Sequence, residues 1–254
     1  MRYTIALLGL SLSLPAIASE GAFTWFSELA HRFHVQEYTI SFAFIAILLS
    51  LFGLVYKVKT SSVEASIIPD KGVTFRNVFE FIGEFIFNLS RNVMPEKESK
   101  RYFKIFTLMF MFIFMSNFLG LLPGFLPPTE NFNTTFALGV FVFIYYNFHG
   151  IRVQGLVGHL KHFAGPLWYM APLIFVLELI SHAMRPVTLG LRLKGNMVGD
   201  HAVLVIFSEL VPYLVPIPFY VLGIFVCFMQ AFVFTLLTMI YVGLSVETHD
   251  HGDH

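Results

Sequence analysis

The sequence contains a single cysteine, few charged residues and no excess of charge of either sign. Cys227 is the one thiol among 254 residues, which excludes a disulfide or a thiolate metal cluster within the chain. Charged residues make up 13% of the sequence, about half the share in soluble proteins, and the formal net charge is +0. Because the net charge is zero, electrostatics gives no argument for nucleic-acid binding. The CxxC, Walker A, GxSxG and HExxH patterns are absent too, so nothing resembles the catalytic centre of a soluble enzyme.

Apolar residues, in contrast, make up 56% of the chain. A protein core of this size cannot bury so many of them, and several apolar stretches are long enough to cross a bilayer. The sequence therefore predicts an all-α polytopic membrane protein. About five membrane segments are expected, at 38–56, 103–123, 134–149, 167–210 and 217–244. The fourth is too long for one upright helix, so we expect it to be strongly tilted or bent back, and together with the fifth it forms two long inclined helices.

The N-terminal residues 1–18 have the pattern of a secretory signal peptide. Arg2 precedes a short apolar run, and Ala16-Ile17-Ala18 resembles a cleavage site, so we expect removal after Ala18. An uncleaved extra helix is the alternative. The remaining chain divides into an exported N-terminal segment, a single membrane domain and a C-terminal tail, at 19–37, 38–245 and 246–254. Histidines and aspartates in the tail could bind a metal, but a solvated end explains them better, and we assign no metal site.

Basic residues predict the orientation of the chain in the membrane. They concentrate in 57–104 and again in 152–162, which we expect to be cytoplasmic loops because positive residues stay on that side. The N-terminus is then periplasmic, the C-terminus is cytoplasmic, and a bacterial inner membrane or its organelle equivalent is indicated. Within the first loop, 75–94 alternates apolar and polar faces at helical spacing, which predicts an amphipathic helix on the membrane surface or on a partner helix.

A polar stripe follows one face of the fourth segment. Its members occur at steps of three or four residues and are Glu178, Ser181, Arg185, Thr188, Arg192, Asn196 and Gly199. An arginine in the middle of a bilayer costs from about 3 to more than 10 kcal/mol, so it should face a partner or a wet cavity. Arg192 is therefore the leading functional candidate. The structural alternative is that Arg185 and Lys194 reach for the membrane surfaces while Arg192 forms a structural ion pair.

The same region carries a family resemblance. PVTLGLRLKGNMVGDH at 186–201 resembles the signature of subunit a of rotary F-type ATP synthases. Three more stretches are similar to that family in the same order: SNFLGLLPG at 116–124, PPTENFNTTFALGV at 127–140 and MQAFVFTLLTMIYVGLS at 229–245. The resemblance covers about 75–245, most of the mature chain.

The resemblance implies a stator subunit that conducts protons and has no active site of its own. Its implied partners are a ring of c subunits with membrane-embedded carboxylates, peripheral-stalk b subunits, the other ATP synthase subunits and membrane lipid. Two offset half-channels would bring H⁺ to the ring and take it away, and no cofactor is implied. Arg192 matches the arginine between these half-channels. Because a guanidinium does not deprotonate in proteins, it favours ionised ring carboxylates and blocks direct cation leakage.

The resemblance also implies roles for other residues. Asn196 and Gln230 match polar residues beside the arginine, and His201 matches a protonatable residue of the outer half-channel. Glu178 and Ser181 match polar residues of the inner half-channel. Asn117 is a further candidate, and we expect Gly190, Gly195 and Gly199 to allow close approach of a ring helix. Lys194, about 200° from Arg192 around the helix, should point to another subunit or to headgroups.

One departure from the family concerns the outer half-channel. Seven residues before Gln230 the family commonly has an ionisable residue that partners the one at His201, but this chain has Gly223. Asp200, Glu209 or water are the possible replacements, and the sequence does not choose among them.

Two other function classes remain open from the residues alone. A secondary transporter or ion channel could bind an anion at Arg192, although the sequence has no internal repeat of the kind many transporters show. A structural anchor of a respiratory complex would leave the polar stripe unexplained. The choice of H⁺ over Na⁺ depends on the ring, and we expect H⁺.

Overall fold

The computed structural model describes residues 24–60, 74–122, 124–164, 171–210 and 216–246. These residues form α-helices and one short 3₁₀ helix, Pro128–Glu130, and no strand occurs among them. The helices are α1 (Ser27–Phe33), α2 (Glu37–Lys59), α3 (Phe75–Val93), α4 (Glu96–Leu119), α5 (Phe132–Ala164), α6 (Ala171–Leu210) and α7 (Pro216–Val246). The predicted signal peptide and the tail after Val246 lie outside the described residues.

Five of these helices, α2 and α4 to α7, are long and apolar enough to cross a membrane. Over the described part of the chain the candidate spans are Glu37–Val58, Glu96–Leu119, Phe132–Gly155, Ile174–Leu204 and Ile217–Val246. The prediction of an all-α polytopic membrane protein with about five membrane segments is therefore confirmed.

The core lies between α4 and α7, with α3 packed across them. Phe106 and Ile113 of α4, and Met239 of α7, have no exposed surface. The ring of Phe85 on α3 lies 6.1 Å from that of Phe232 on α7. Ile86 of α3 is fully buried as well. The amphipathic helix predicted at 75–94 thus lies on its partner helices, and burial of its aromatic face stabilises the fold.

Two boundaries differ from the sequence-based expectation. The loop predicted at 152–162 is wrong, because α5 continues to Ala164 with a single interruption at Gly155. Gly155 has a φ of 74°, a left-handed conformation that glycine adopts without strain, so the helix changes direction there and resumes. The second difference is that α4 already begins at Glu96. The basic residues that were predicted to belong to a loop therefore form its first turns.

The fourth apolar segment forms one helix and does not fold back. α6 contains 40 residues and is about 60 Å long, roughly twice the thickness of the hydrocarbon core. Pro186 lies inside it, and its carbonyl oxygen contacts Gly139 of α5, where a larger side chain would collide. This close approach fixes the crossing of α5 and α6.

The N-terminal segment before α2 packs on the loop between α4 and α5. The backbone N–H of Trp25 donates to the carbonyl of Gly124 at 3.0 Å, and the Phe26 ring lies 5.3 Å from that of Phe125. A Cβ on Gly124, whose φ is 82°, would lie 2.7 Å from the Trp25 indole. This segment contains the short helix α1, which is thereby anchored to the loop.

Candidate functional site

Arg192 lies on the exposed face of α6. Among the described residues it makes no hydrogen bond and no ion pair. Gly195 and Gly199 are exposed on the same helix, and a Cβ built on either would have no atom within 4 Å. The guanidinium is therefore a fixed positive charge beside a shallow, open surface. Such a surface leaves room for another helix to approach closely.

The predicted glycine stripe is only partly correct. A Cβ on Gly190 would lie 3.1 Å from the backbone of Thr135 and of Phe136. Gly190 is thus a contact between α5 and α6, and it does not belong to the open surface. The Nζ of Lys194 lies 5.7 Å from the centre of the Phe132 ring at the start of α5. A cation over an aromatic face is stabilised within the chain. That Lys194 also meets another subunit or headgroups stays a prediction.

Asn196 and Gln230 join α6 to α7 next to Arg192. The Nδ2 of Asn196 donates a hydrogen bond to Oε1 of Gln230. Gln230 is 4% exposed, and its Nε2 has no hydrogen-bond partner among the described residues. An unsatisfied buried donor costs about 1–3 kcal/mol, so this amide group could accept a further partner at little cost.

Asn117 and Asp200 lie on the same side of this pair. Together with Asn196 and Gln230 they line a narrow gap between α4, α6 and α7. Asn117 is 1% exposed and accepts a hydrogen bond of 2.8 Å from the Thr129 hydroxyl. The gap is too narrow for a water molecule, so a proton path through it needs small side-chain movements. The structure thus brings together four of the residues that the sequence predicted separately.

Gly223 lies buried on α7, and the Leu121 side chain occupies the space beside it. A Cβ on Gly223 would be 2.6 Å from Cδ2 of Leu121. A side chain at this position therefore requires the end of the Leu121 side chain to move. Asp200 lines the gap from α6, and its carboxylate can replace the ionisable group that this chain lacks at position 223. His201 and Glu209 also belong to α6, but their side chains lie outside the part of the structure that is described.

Toward the beginning of α6, Glu178 contacts Arg185. The Nη2 of Arg185 lies 3.4 Å from Oε1 of Glu178. The guanidinium also lies over two aromatic rings, 4.9 Å from Tyr241 of α7 and 6.0 Å from Tyr146 of α5. Arg185 therefore does not reach for the membrane surface. Ser181, which also belongs to the polar stripe, is exposed.

Sequence reasoning missed the residues that surround Arg185. His182 is 7% exposed, and its Nε2 lies 2.8 Å from Oδ1 of Asn147 on α5. Its ring is 5.2 Å from that of Tyr146. The available signal was the spacing of Glu178, His182 and Arg185, which puts all three on one helical face.

The chain matches the protein family described as ATP synthase A chain over residues 38–243. It is 48% identical to ATP synthase subunit a of Bdellovibrio bacteriovorus over 188 residues, 74% of this chain and 81% of that protein. It is 40% identical to ATP synthase subunit a of Geobacter sulfurreducens over 226 residues, 88% and 95% of the two chains. The corresponding protein of Nitratiruptor sp. is 37% identical over 233 residues, 92% of this chain and 99% of that protein.

Proposed function

Because the chain belongs to the ATP synthase A chain family and crosses the membrane several times, we propose that it is the stator subunit that conducts protons past a rotating ring of c subunits. It has no active site of its own, and ATP is made or hydrolysed elsewhere in the complex. The translocated ion is H⁺, and no cofactor takes part.

The observation that carries this proposal is the environment of Arg192. An exposed cation in a membrane helix, with no partner among the described residues, calls for an anion or a wet cavity beside it. A ring carboxylate is the fitting partner, because it is anionic when it has released its proton. The guanidinium stays charged, so it favours the ionised carboxylate as it passes and repels a cation that would cross directly.

The surface around Arg192 suits a moving partner. Large apolar side chains are exposed on α6 and on the first half of α7, and they include Leu191, Val198, Val203, Ile206, Val221 and Phe225. Apolar side chains of this kind allow helices of the ring to slide. The outward face of α2, which includes Ile47 and Leu54, is available to lipid and to peripheral-stalk b subunits.

The outer half-channel runs through the narrow gap between α4, α6 and α7. Asp200 carries protons there in place of the missing ionisable group at Gly223, and Asn117 lines the same gap. His201, the next residue of α6, is the second proton-carrying residue that we assign to this path. Glu209 lies farther along α6 toward the outer end. The Asn196–Gln230 pair joins α6 to α7 beside Arg192 and separates this path from the inner one. The support for Asp200 is its position in the gap and the lack of space at Gly223.

The inner half-channel leads from the ring to the beginning of α6. Glu178 and Ser181 lie along it, on the cytoplasmic side if the basic loops are cytoplasmic. The protein then belongs to the cell inner membrane, with a periplasmic N-terminus and a cytoplasmic C-terminus. The membrane potential supplies about 2.3 kcal/mol per charge per 100 mV, so Arg192 must hold each carboxylate weakly enough to release it.

The test is proton transport by complexes that carry Arg192→Ala. In inverted membrane vesicles we expect ATP-driven acidification to be lost, while the amount of assembled complex stays at the wild-type level. Arg32→Ala, which removes an exposed arginine on α1, is the matched control and should pump normally. Normal pumping by the Arg192→Ala complex would refute the proposed function.

A further inference from the structure

His182 is a buried histidine in the membrane that the proposed path does not yet use. Its side chain is 7% exposed, and it lies within the candidate span Ile174–Leu204. Histidine changes its charge near neutral pH, so a buried one inside a membrane is either a structural hydrogen-bonding residue or a carrier of protons. Its surroundings distinguish these two roles.

The hydrogen bonds of Asn147 fix the proton on one ring nitrogen of His182. Nδ2 of Asn147 donates to the carbonyl of Phe143 at 2.7 Å, so its Oδ1 is the acceptor that faces the histidine. The Nε2 of His182, 2.8 Å away, must then carry a hydrogen. Protons gained or lost by the imidazole are therefore exchanged at Nδ1, and the Tyr146 hydroxyl lies 3.4 Å from both ring nitrogens.

Charged and titratable groups approach His182 from all three helices that meet there. On α6 these are Glu178, one turn before it, and Arg185, one turn after it, which lie 3.4 Å apart. Tyr146 of α5 faces the ring directly. Tyr241 of α7 is 5.8 Å from Tyr146 and carries the Arg185 guanidinium on its face. A carboxylate one turn away on the same helix face is a proton acceptor for an imidazolium.

We propose that His182 is a proton-carrying residue of the inner half-channel, which passes protons from the ring side to Glu178. The imidazole takes up a proton at Nδ1 and becomes imidazolium. It then releases that proton from Nδ1 toward the Glu178 carboxylate, while Nε2–H remains bonded to Asn147. The imidazole returns to its starting state, and one proton has moved along α6. The inference rests on the proposed function, since it needs a proton path along this helix.

A matched pair of variants separates carriage of protons from a structural role. His182→Gln retains an N–H that can donate to Asn147 but takes up no proton near neutral pH. Asn147→Leu removes the acceptor and leaves the imidazole. We expect His182→Gln to lower passive proton flux by about tenfold or more, in the range of positioned proton-transfer groups. Asn147→Leu should conduct less than the wild type but clearly more than His182→Gln, because the imidazole that carries the proton remains. Flux is measured in vesicles stripped of the catalytic sector, with the amount of inserted protein as reference.

His149→Gln is the control for loss of a membrane histidine. His149 lies on α5 and bonds the Tyr145 carbonyl at 2.9 Å, so its replacement should leave flux unchanged. A second variant, His182→Glu, restores a proton-carrying group and should conduct with a pH dependence that differs from the wild type. It also decides the matter if His182→Gln fails to insert, because absence of flux through inserted His182→Glu complexes would overturn the inference.

Two other results would also overturn it. Wild-type flux through His182→Gln, or an equal loss in Asn147→Leu, would make His182 a structural contact between α5 and α6. The proposed function fails separately. If Arg192→Ala pumps normally, the whole path is wrong; if Arg192→Ala is inactive and His182→Gln conducts normally, only the assignment of His182 is wrong.

Discussion

Asn196 donates a hydrogen bond to Gln230, and this bond joins α6 to α7 four residues beyond Arg192. The Gln230 side chain is 4% exposed, so the bond is protected from water on one side and close to the exposed guanidinium on the other. The two helices that carry the proposed half-channels are thus tied together at the point where the paths must be kept apart.

Removal of this bond should impair proton transport, because it alters the position of Arg192 relative to α7. Gln230→Leu and Asn196→Leu each leave one amide without its partner, which costs about 1–3 kcal/mol where the group is buried. We expect each single variant to lower ATP-driven proton pumping. The double variant should lose less than the product of the two single effects, because both remove one shared interaction. Independent, multiplicative losses in the three vesicle preparations would show that the bond does not couple the two residues.

The contact between Leu121 and Gly223 makes a prediction about packing. A side chain at position 223 would collide with Leu121, since even a Cβ would be 2.6 Å from it. Gly223→His alone should therefore lower the amount of assembled complex. Leu121→Ala opens the space, so the double variant Leu121→Ala/Gly223→His should assemble better than Gly223→His. Assembly is measured as the amount of this subunit in purified complexes.

The control for this pair is Leu121→Ala alone. Loss of a buried leucine costs about 2–5 kcal/mol, so this variant is expected to be less stable than the wild type. Histidine at 223 should refill the space and recover part of that loss. If Gly223→His assembles normally by itself, Leu121 yields easily and the contact does not explain the glycine.

Much of this architecture follows from the sequence, because the membrane imposes it locally. Five apolar stretches and the helical spacing from Glu178 to Gly199 were sufficient to predict the spans and the exposed position of Arg192. The direction of individual side chains was harder to predict from the sequence. Lys194 and Arg185 lie on aromatic rings of α5 and α7, which are distant in sequence, and spacing along α6 contains no information about those rings. The extension of α5 was missed because Gly155 interrupts the helix without ending it.

The assignment of Asp200 to the outer path is testable by charge and length. Asp200→Asn keeps the size and hydrogen-bonding capacity of the side chain but cannot carry a proton. We expect it to lower proton flux strongly, whereas Asp200→Glu should retain a substantial part, because the carboxylate remains in the gap. The readout is passive flux in stripped vesicles at equal amounts of inserted protein.

Glu96→Gln is a suitable control for that experiment, because it removes an exposed carboxylate at the start of α4. It should conduct normally. Equal flux through Asp200→Asn and the wild type would exclude Asp200 as a carrier and leave His201 or Glu209 as the candidates of the outer path.

Gly190 and Gly195 offer the sharpest distinction between folding and rotation. A Cβ on Gly190 would press on the backbone of α5 at 3.1 Å, while a Cβ on Gly195 would have no atom of this chain within 4 Å. Gly190→Val should therefore reduce assembly. Gly195→Val should leave the subunit folded and inserted, yet slow ATP-driven pumping, because the added side chain projects toward the ring from a position next to Arg192. Measuring both assembly and pumping for the two variants separates the effects. If Gly195→Val pumps at the wild-type rate, the surface beside Arg192 does not approach a rotor closely, and the ring must pass the arginine on another side.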